Sequence, residues 1–404
     1  MPELVQQLLV ILGQPVVKIA IIIGALQGAV AYLILVERKA AAYFQDRFGP
    51  NRVGPWGLLQ PIADGLKFVL KEEIIPAGVD KVVFMLAPVS ILATATFVFA
   101  TIPFGSYLPA LSVPGYDQPI PGFDKPVPMV IAPGIDIGLL YVFAVGSLGV
   151  YGVILGGWAS NNKYSLIGGL RSSAQLVSYE IPLGLSVIGV FLLSGSMNME
   201  VITAKQADSG WWWIALQPLG FTVFLISGFA ESTRLPFDLP ECEQELIGGY
   251  HTEYTAMKFG MFALAEYQHM ITVSFLSVVL YFGGWHLWGL TPATVPEDVT
   301  LIGGLLCIGV LTAKVLGMIL FFMWVRWSWP RFRYDQLMDL AWKAMIPLGV
   351  LNLVVSAAAQ QFLRPDDFFT RAVISWVTVG ALIGYAALTQ ASAPAPTAAR
   401  SRAA

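Results

Sequence analysis

The chain has 404 residues, 56% of them hydrophobic and only 12% charged, with a formal net charge of −3. Its apolar runs of about 20 residues match the length needed to cross a roughly 30 Å hydrocarbon core. Lipid admits only helices or closed barrels, and runs this long exclude a barrel, so the expected fold class is an all-α polytopic membrane protein.

The first predicted span covers residues 16–36, with Lys18 near its outer end, placed to snorkel. Gly49-Pro50 and Gly54-Pro55 then break the helix. Residues 58–72 follow, with Leu58, Leu59, Ile62, Leu66, Val69 and Leu70 on one side and Gln60, Asp64, Lys67 and Lys71 on the other. That segment is too short and too charged to span, and suits a helix lying in the interface. Further spans are predicted over 82–103, 135–158, 174–193, 211–230, 256–284, 301–325, 341–358 and 372–388, giving about nine in all. The segments 104–133, 159–173, 194–210, 285–300 and 326–340 read as connections, and Trp211, Trp212 and Trp213 as part of an aromatic belt. The predicted organisation is a membrane domain over 1–360, an additional helix within 361–390 and a disordered tail over 391–404. No cleaved signal is expected at the N-terminus.

Lys and Arg fall unevenly across the connections, 17 on one side and 4 on the other. The positive-inside rule puts the richer side in the cytoplasm and the N-terminus outside. On the same side lies the most acidic stretch, residues 231–253, with Glu231, Asp238, Glu241, Glu243, Glu245 and Glu253 against one base, Arg234. Asp238, Pro240 and Glu241 read as a helix start. Crowded carboxylates at an apolar boundary raise each other's pKa, although like-charge runs are usually solvated faces. Glu180, Glu266 and Lys314 fall inside predicted spans, where an ionisable group is a functional candidate and a structural ion bridge is its plain alternative. Arg38, Arg47, Arg52, Lys67 and Arg331 are equally well explained by snorkelling to headgroups. Cys242 and Cys307 are too far apart for a disulfide framework or an iron–sulfur cluster on this chain alone, and His251, His269 and His286 lack metal-ligand spacing. Nucleotide-binding and HExxH motifs are absent. These residues point to a proton-coupling membrane protein and leave the driving reaction open.

Several long motifs narrow it. Val36-Glu37-Arg38-Lys39, then Gln45-Asp46-Arg47-Phe48-Gly49-Pro50-Asn51-Arg52-Val53-Gly54-Pro55, and Leu59 to Lys67, resemble the first loop and interfacial helix of the H chain of respiratory complex I, the homologue of mitochondrial subunit 1. So do Arg171 to Gln175, Ser178-Tyr179-Glu180, Ala230 to Glu245, His251 to Tyr254 and Pro330 to Lys343. The resemblance covers residues 10–355, and implies an eight-span family core with the last run added. It implies a membrane component of a proton-translocating NADH-quinone oxidoreductase in the bacterial inner membrane. The substrate would be ubiquinone or menaquinone, with a lean to menaquinone, while FMN and the iron–sulfur clusters belong to partner chains. The partners implied are peripheral-arm quinone-site chains, neighbouring membrane-arm chains and membrane lipid. Carried over residue by residue, Arg38, Phe48, Ala63, Asp64 and Lys67 would border a quinone tunnel. Glu37, Glu180, Glu231, Glu241, Glu243, Glu245, Glu253 and Glu266 would carry proton coupling, with Arg331 and Arg333 balancing their charge. The rivals are the corresponding chain of a membrane-bound hydrogenase, a secondary cation/proton antiporter using Lys314, and a purely structural anchor.

Overall fold

The computed structural model describes residues 3–109, 125–238, 248–288, 290–291, 300–363 and 367–392, with side chains from 15 to 385. The chain is helical almost throughout. Helix α1 (Glu3–Phe44) is followed by the short α2 (Gln60–Leu70) and by α3 (Lys81–Phe97). A two-stranded antiparallel ribbon, β1 (Tyr107–Leu108) with β2 (Val127–Pro128), follows α3 and packs β1 against the start of the helix over Leu301–Ser328. Then come α4 (Gly138–Ser147), α5 (Gly149–Ala159), α6 (Lys163–Ser194), α7 (Met199–Ser209), α8 (Trp213–Leu216) and α9 (Pro218–Glu231). Helices α10 (Ala256–Tyr281), α11 (Leu301–Ser328), α12 (Tyr334–Asp339), α13 (Ile346–Phe362) and α14 (Phe368–Ser392) complete the fold.

Among the described residues eight helical segments are long and apolar enough to cross a membrane, and α9, at 14 residues, is a shorter apolar helix. The fifth expected span is therefore broken. Gln217 leaves helical geometry at φ −135° and ψ 61°, and Pro218 restarts the helix. The third span is split between α4 and α5 but runs on as Gly138–Ala159.

Helix ends depart from the sequence expectation where tertiary packing overrides local signals. Helix α1 continues two turns past Val36, because Lys39 to Ala42 are strong helix formers and no breaker precedes Gly49. Helix α6 begins at Lys163 instead of within the 170s, so the expected polar connection is only Ser160 to Asn162, with Asn162 accepting from the Tyr164 amide at 3.0 Å. Gly168 and Gly169 do not break α6 because each faces neighbouring backbone. A Cβ at Gly168 would stand 2.8 Å from the Gly249 Cα, and one at Gly169 would stand 3.4 Å from the Gly157 Cα. The connection expected over 194–210 contains α7, capped by Asn198. The basic segment 326–340 holds the end of α11 and all of α12, which passes through a π turn, Leu340–Met345, into α13. The helix start read at Asp238–Glu241 lies outside the described residues.

Helix α2 keeps its predicted sidedness: Ile62, Leu66, Val69 and Leu70 are exposed, an apolar face turned away from the protein. The aromatic belt is only partly as expected, because Trp213 is buried and Trp212 stacks on Trp288 with centroids 4.4 Å apart. The main core gathers around α6, α9, α10 and α11, and a second cluster around Phe84, Tyr254 and Phe262 joins α3 to α10. Close helix approach depends on small residues, as usual in lipid. A Cβ at Gly157 would stand 2.7 Å from the Ser165 carbonyl oxygen. Replacing Gly157 by Leu is therefore expected to push α5 off α6 and destabilise the chain by about 1–3 kcal/mol. Thermal unfolding of the detergent-solubilised protein measures the effect, and an unchanged midpoint would contradict it.

Candidate functional site

Four charged side chains meet where α1, α10 and α11 approach the segment after α9. Arg234 Nη1 lies 3.2 Å from both carboxylate oxygens of Glu37, and Arg234 Nε lies 2.7 Å from Glu266 Oε1. Arg326 on α11 also pairs with Glu37. The Arg234 guanidinium stacks over the Tyr267 ring, 4.2 Å from its centroid. Side-chain exposure is 4% at Arg234, 7% at Glu37 and 10% at Glu266, so these charges are buried and neutralise one another within the group. Sequence reading named Glu37 and Glu266. It missed Arg234 and Arg326 as their partners, because their separation along the chain hides the pairing.

A cavity adjoins this network. Glu180 on α6, Glu231 at the end of α9, and Glu266 and His269 on α10 line it, with Ser147, Thr233 and Tyr250. It offers ≈ 60 Å³ to water-sized spheres, room for a few waters at about 10–15 Å³ each. The Ser178-Tyr179-Glu180 motif and the nearby Gln175 hold this arrangement. The buried Gln175 Nε2 donates to the carbonyls of Ala230 and Phe237, 2.9 Å each, and so fixes the end of α9 and Glu231 with it. Tyr179 donates to the Leu337 carbonyl at 2.8 Å and ties α6 to α12. Three expected acids thus share one cavity. Glu241, Glu243 and Glu245 lie outside the described residues. Glu253 is elsewhere: it accepts from Asn162 Nδ2 at 2.7 Å, in a polar groove with Lys163 and Trp158. His251, beside that groove, is held down to about 4 by burial and is neutral at ordinary pH.

The tunnel candidates are only partly brought together. Arg38, near the end of α1, pairs with Asp64 on α2 at 2.6 Å, and Gln60 also donates to Asp64. Lys67 lies one turn beyond on α2, its ammonium 4.9 Å from the Phe68 ring centroid, and Ala63 is half-buried on the same helix. Phe48 is 94% exposed and stands apart from them. Arg333 pairs with Asp335 at the surface rather than with a cavity acid, and Arg331 is half-buried nearby.

A second, apolar groove runs along α1 from Ile21 to Val36, closed by Ile271 and Phe275 of α10 and by Val315 and Ile319 of α11. Its volume is ≈ 420 Å³. Glu37 follows one turn after Leu33, a groove-lining residue of α1, so the ion network comes next along α1 beyond the Val36 end of the groove. Lys314, on the far side of α11, donates to the carbonyls of Phe282, Gly284 and His286 at 2.7, 2.9 and 2.6 Å. It caps the C-terminus of α10 as a cation does, with Trp212 stacked against it. Among the described residues it therefore joins neither an ion bridge with an acid nor the cavity.

A family profile described as NADH dehydrogenase matches residues 17–357, leaving α14 outside the match. The chain is 48% identical over 328 residues to the NADH-quinone oxidoreductase H subunit 1 of Cytophaga hutchinsonii, covering 81% of this chain and 91% of the relative. It is 44% identical over 344 residues to the NADH-quinone oxidoreductase H subunit 2 of Koribacter versatilis, covering 84% and 95%. With the NADH-quinone oxidoreductase H subunit of Flavobacterium johnsoniae it shares 45% identity over 350 residues, 87% and 95% of the two chains.

Removing one member of a buried ion network strands the others. Arg234→Gln is expected to cost about 3–5 kcal/mol by leaving Glu37 and Glu266 short of a partner, and Arg234→Gln with Glu266→Gln to recover part of that loss. Thermal stability of the single and double variants checks the coupling, and strictly additive losses would refute it.

Proposed function

Because the chain belongs to the NADH dehydrogenase family, we propose that it is the H subunit of a proton-translocating NADH-quinone oxidoreductase, lodged in a bacterial inner membrane with its N-terminus outside. In this reading it forms part of the quinone tunnel and relays quinone reduction to the proton path. The observation that carries the reading is the contiguity of three features. An apolar groove along α1 is roomy enough for part of a polyprenyl tail, Glu37 of the buried ion network follows that groove by one helical turn, and the network shares Glu266 with a cavity lined by Glu180 and Glu231.

Reduction of a quinone to a quinol takes up two electrons and two protons. The electrons arrive from the flavin and iron–sulfur centres of partner chains. This chain's residues handle position and charge. The groove between α1, α10 and α11 shelters the apolar tail, and the Arg38–Asp64 pair with Lys67 marks the polar mouth beside α2. A unit charge change about 10 Å away, in an effective dielectric near 20, is worth about 1.7 kcal/mol. That is more than a tenfold shift in a protonation equilibrium. Protons drawn toward the quinone are thereby felt at Glu266 and Glu231, and Glu180 carries the change on toward neighbouring membrane-arm chains. In this reading Glu241, Glu243 and Glu245 contribute to the same proton coupling. The unit that responds is the set of cavity carboxylates rather than any one residue.

Membranes carrying Glu231→Gln are expected to lose NADH-driven proton pumping and quinone reduction while NADH-to-ferricyanide activity stays normal. Wild-type pumping in that variant would reduce the chain to a scaffold. Filling the groove by Ala29→Phe is expected to raise KM for long-tailed quinones several-fold and leave short-tailed quinones unaffected, since one or two methylene-sized clashes are worth about 1–3 kcal/mol. Steady-state kinetics with both quinone types separates the two outcomes.

A further inference from the structure

His269 is a titratable group in the cavity that the carboxylate path does not use. It stands three residues after Glu266 on α10, so both side chains face the same way. Both line the ≈ 60 Å³ cavity, together with Glu231 and Glu180. Among the described residues the ring has no hydrogen-bonding side chain or carbonyl, and water in the cavity is the partner left to it.

The opposite wall keeps the ring accessible. Gly149, where α4 passes into α5, has no side chain at the point where a Cβ would stand 3.4 Å from Thr94 Oγ1 and 3.8 Å from His269 Nε2. The Thr94 hydroxyl donates to carbonyls of its own helix, Ser90 at 3.0 Å and Ile91 at 2.9 Å. Its lone pairs are thus left to accept from water or imidazole. The carboxylates enter the cavity from α6, α9 and α10, whereas His269 looks toward α3. Imidazole can accept a proton at one nitrogen and release it from the other, which a carboxylate on a rigid helix does less readily.

We propose that His269 is a proton-carrying residue of this cavity, taking protons from the Glu180–Glu231–Glu266 carboxylates through cavity water and passing them toward the α3 wall at Thr94. The proposal rests on the reading of the cavity as a proton path. In the step, a protonated Glu231 carboxyl loses its proton to water while a neutral His269 ring gains one, giving carboxylate and imidazolium. The imidazolium then gives a proton from its other nitrogen to a water that donates to the Thr94 hydroxyl, leaving a neutral ring and a hydronium on the α3 side, so one proton moves and no electron does. The groups facing His269 are Glu180 from α6, Glu231 from α9, Glu266 from its own helix and Tyr250 from the turn before α10. Helices α3, α4 and α5 bring only Thr94, Ser147 and apolar or glycine positions. Among the described residues the cation bonded to these acids is Arg234, through Glu266.

The test uses the whole complex in native membranes carrying His269→Gln, which keeps a polar side chain of similar size and cannot titrate. NADH-driven proton pumping is measured between about pH 5 and 8, with NADH-to-ferricyanide activity reporting assembly. Pumping is expected to fall about tenfold or more, with a changed pH profile and normal ferricyanide activity, and added imidazole should restore part of it in His269→Gly. A His269→Gln complex that pumps at the wild-type rate with the wild-type pH profile overturns the proposal. If that variant fails to assemble, His269→Asn decides by the same criterion. Loss in Glu231→Gln with none in His269→Gln defeats the histidine alone, whereas wild-type pumping in Glu231→Gln defeats the proton path beneath it.

Discussion

The arrangement depends on one buried charge network, Glu37 with Arg234 and Arg326, and Arg234 with Glu266. Four charges withdrawn from water hold together only when each is met, because the desolvation of any one exceeds what a single imperfect contact returns. The network fixes the end of α1, the segment after α9, and the adjoining thirds of α10 and α11 relative to each other. It thereby sets the position of Glu266 in the hydratable cavity.

Around that network the helices are interrupted. The short α9 ends at Glu231, and the break before it leaves the Ala215 carbonyl to accept from Trp376 of α14 at 3.1 Å. The split between α4 and α5 places Gly149 opposite His269. Irregular backbone at membrane depth is tolerated only where protein or a water-filled space satisfies it. Here it borders the cavity or is covered by the last helix. Glycines elsewhere serve the opposite purpose, bringing α5 and α6 close enough to exclude water.

Lys314 shows why an intramembrane charge cannot be assigned from its position alone. In the sequence it is as suggestive as Glu180 or Glu266. In the structure its three protons go to three carbonyls beyond the end of α10, and its role is to hold that turn. The antiporter alternative thereby loses its main candidate. Arg333, at the surface, pairs with Asp335 two residues on.

The sequence by itself determined the helical membrane class, the interfacial α2, the family and the acids Glu180, Glu231 and Glu266, because long apolar runs, sidedness and contiguous motifs are local properties of the chain. Tertiary structure decided what those groups do to each other. Glu37 and Arg234 are 197 positions apart and Glu37 and Arg326 are 289 apart, and no local pattern encodes such a pairing. The same holds for Glu253, which left the acidic stretch for a separate groove, and for His269, whose cavity neighbours Glu180 and Glu231 come from two other helices. The start of α6 lay outside local reach for a related reason: at Gly168 and Gly169 another segment's backbone approaches closely, and that packing outweighs the low helix propensity of glycine.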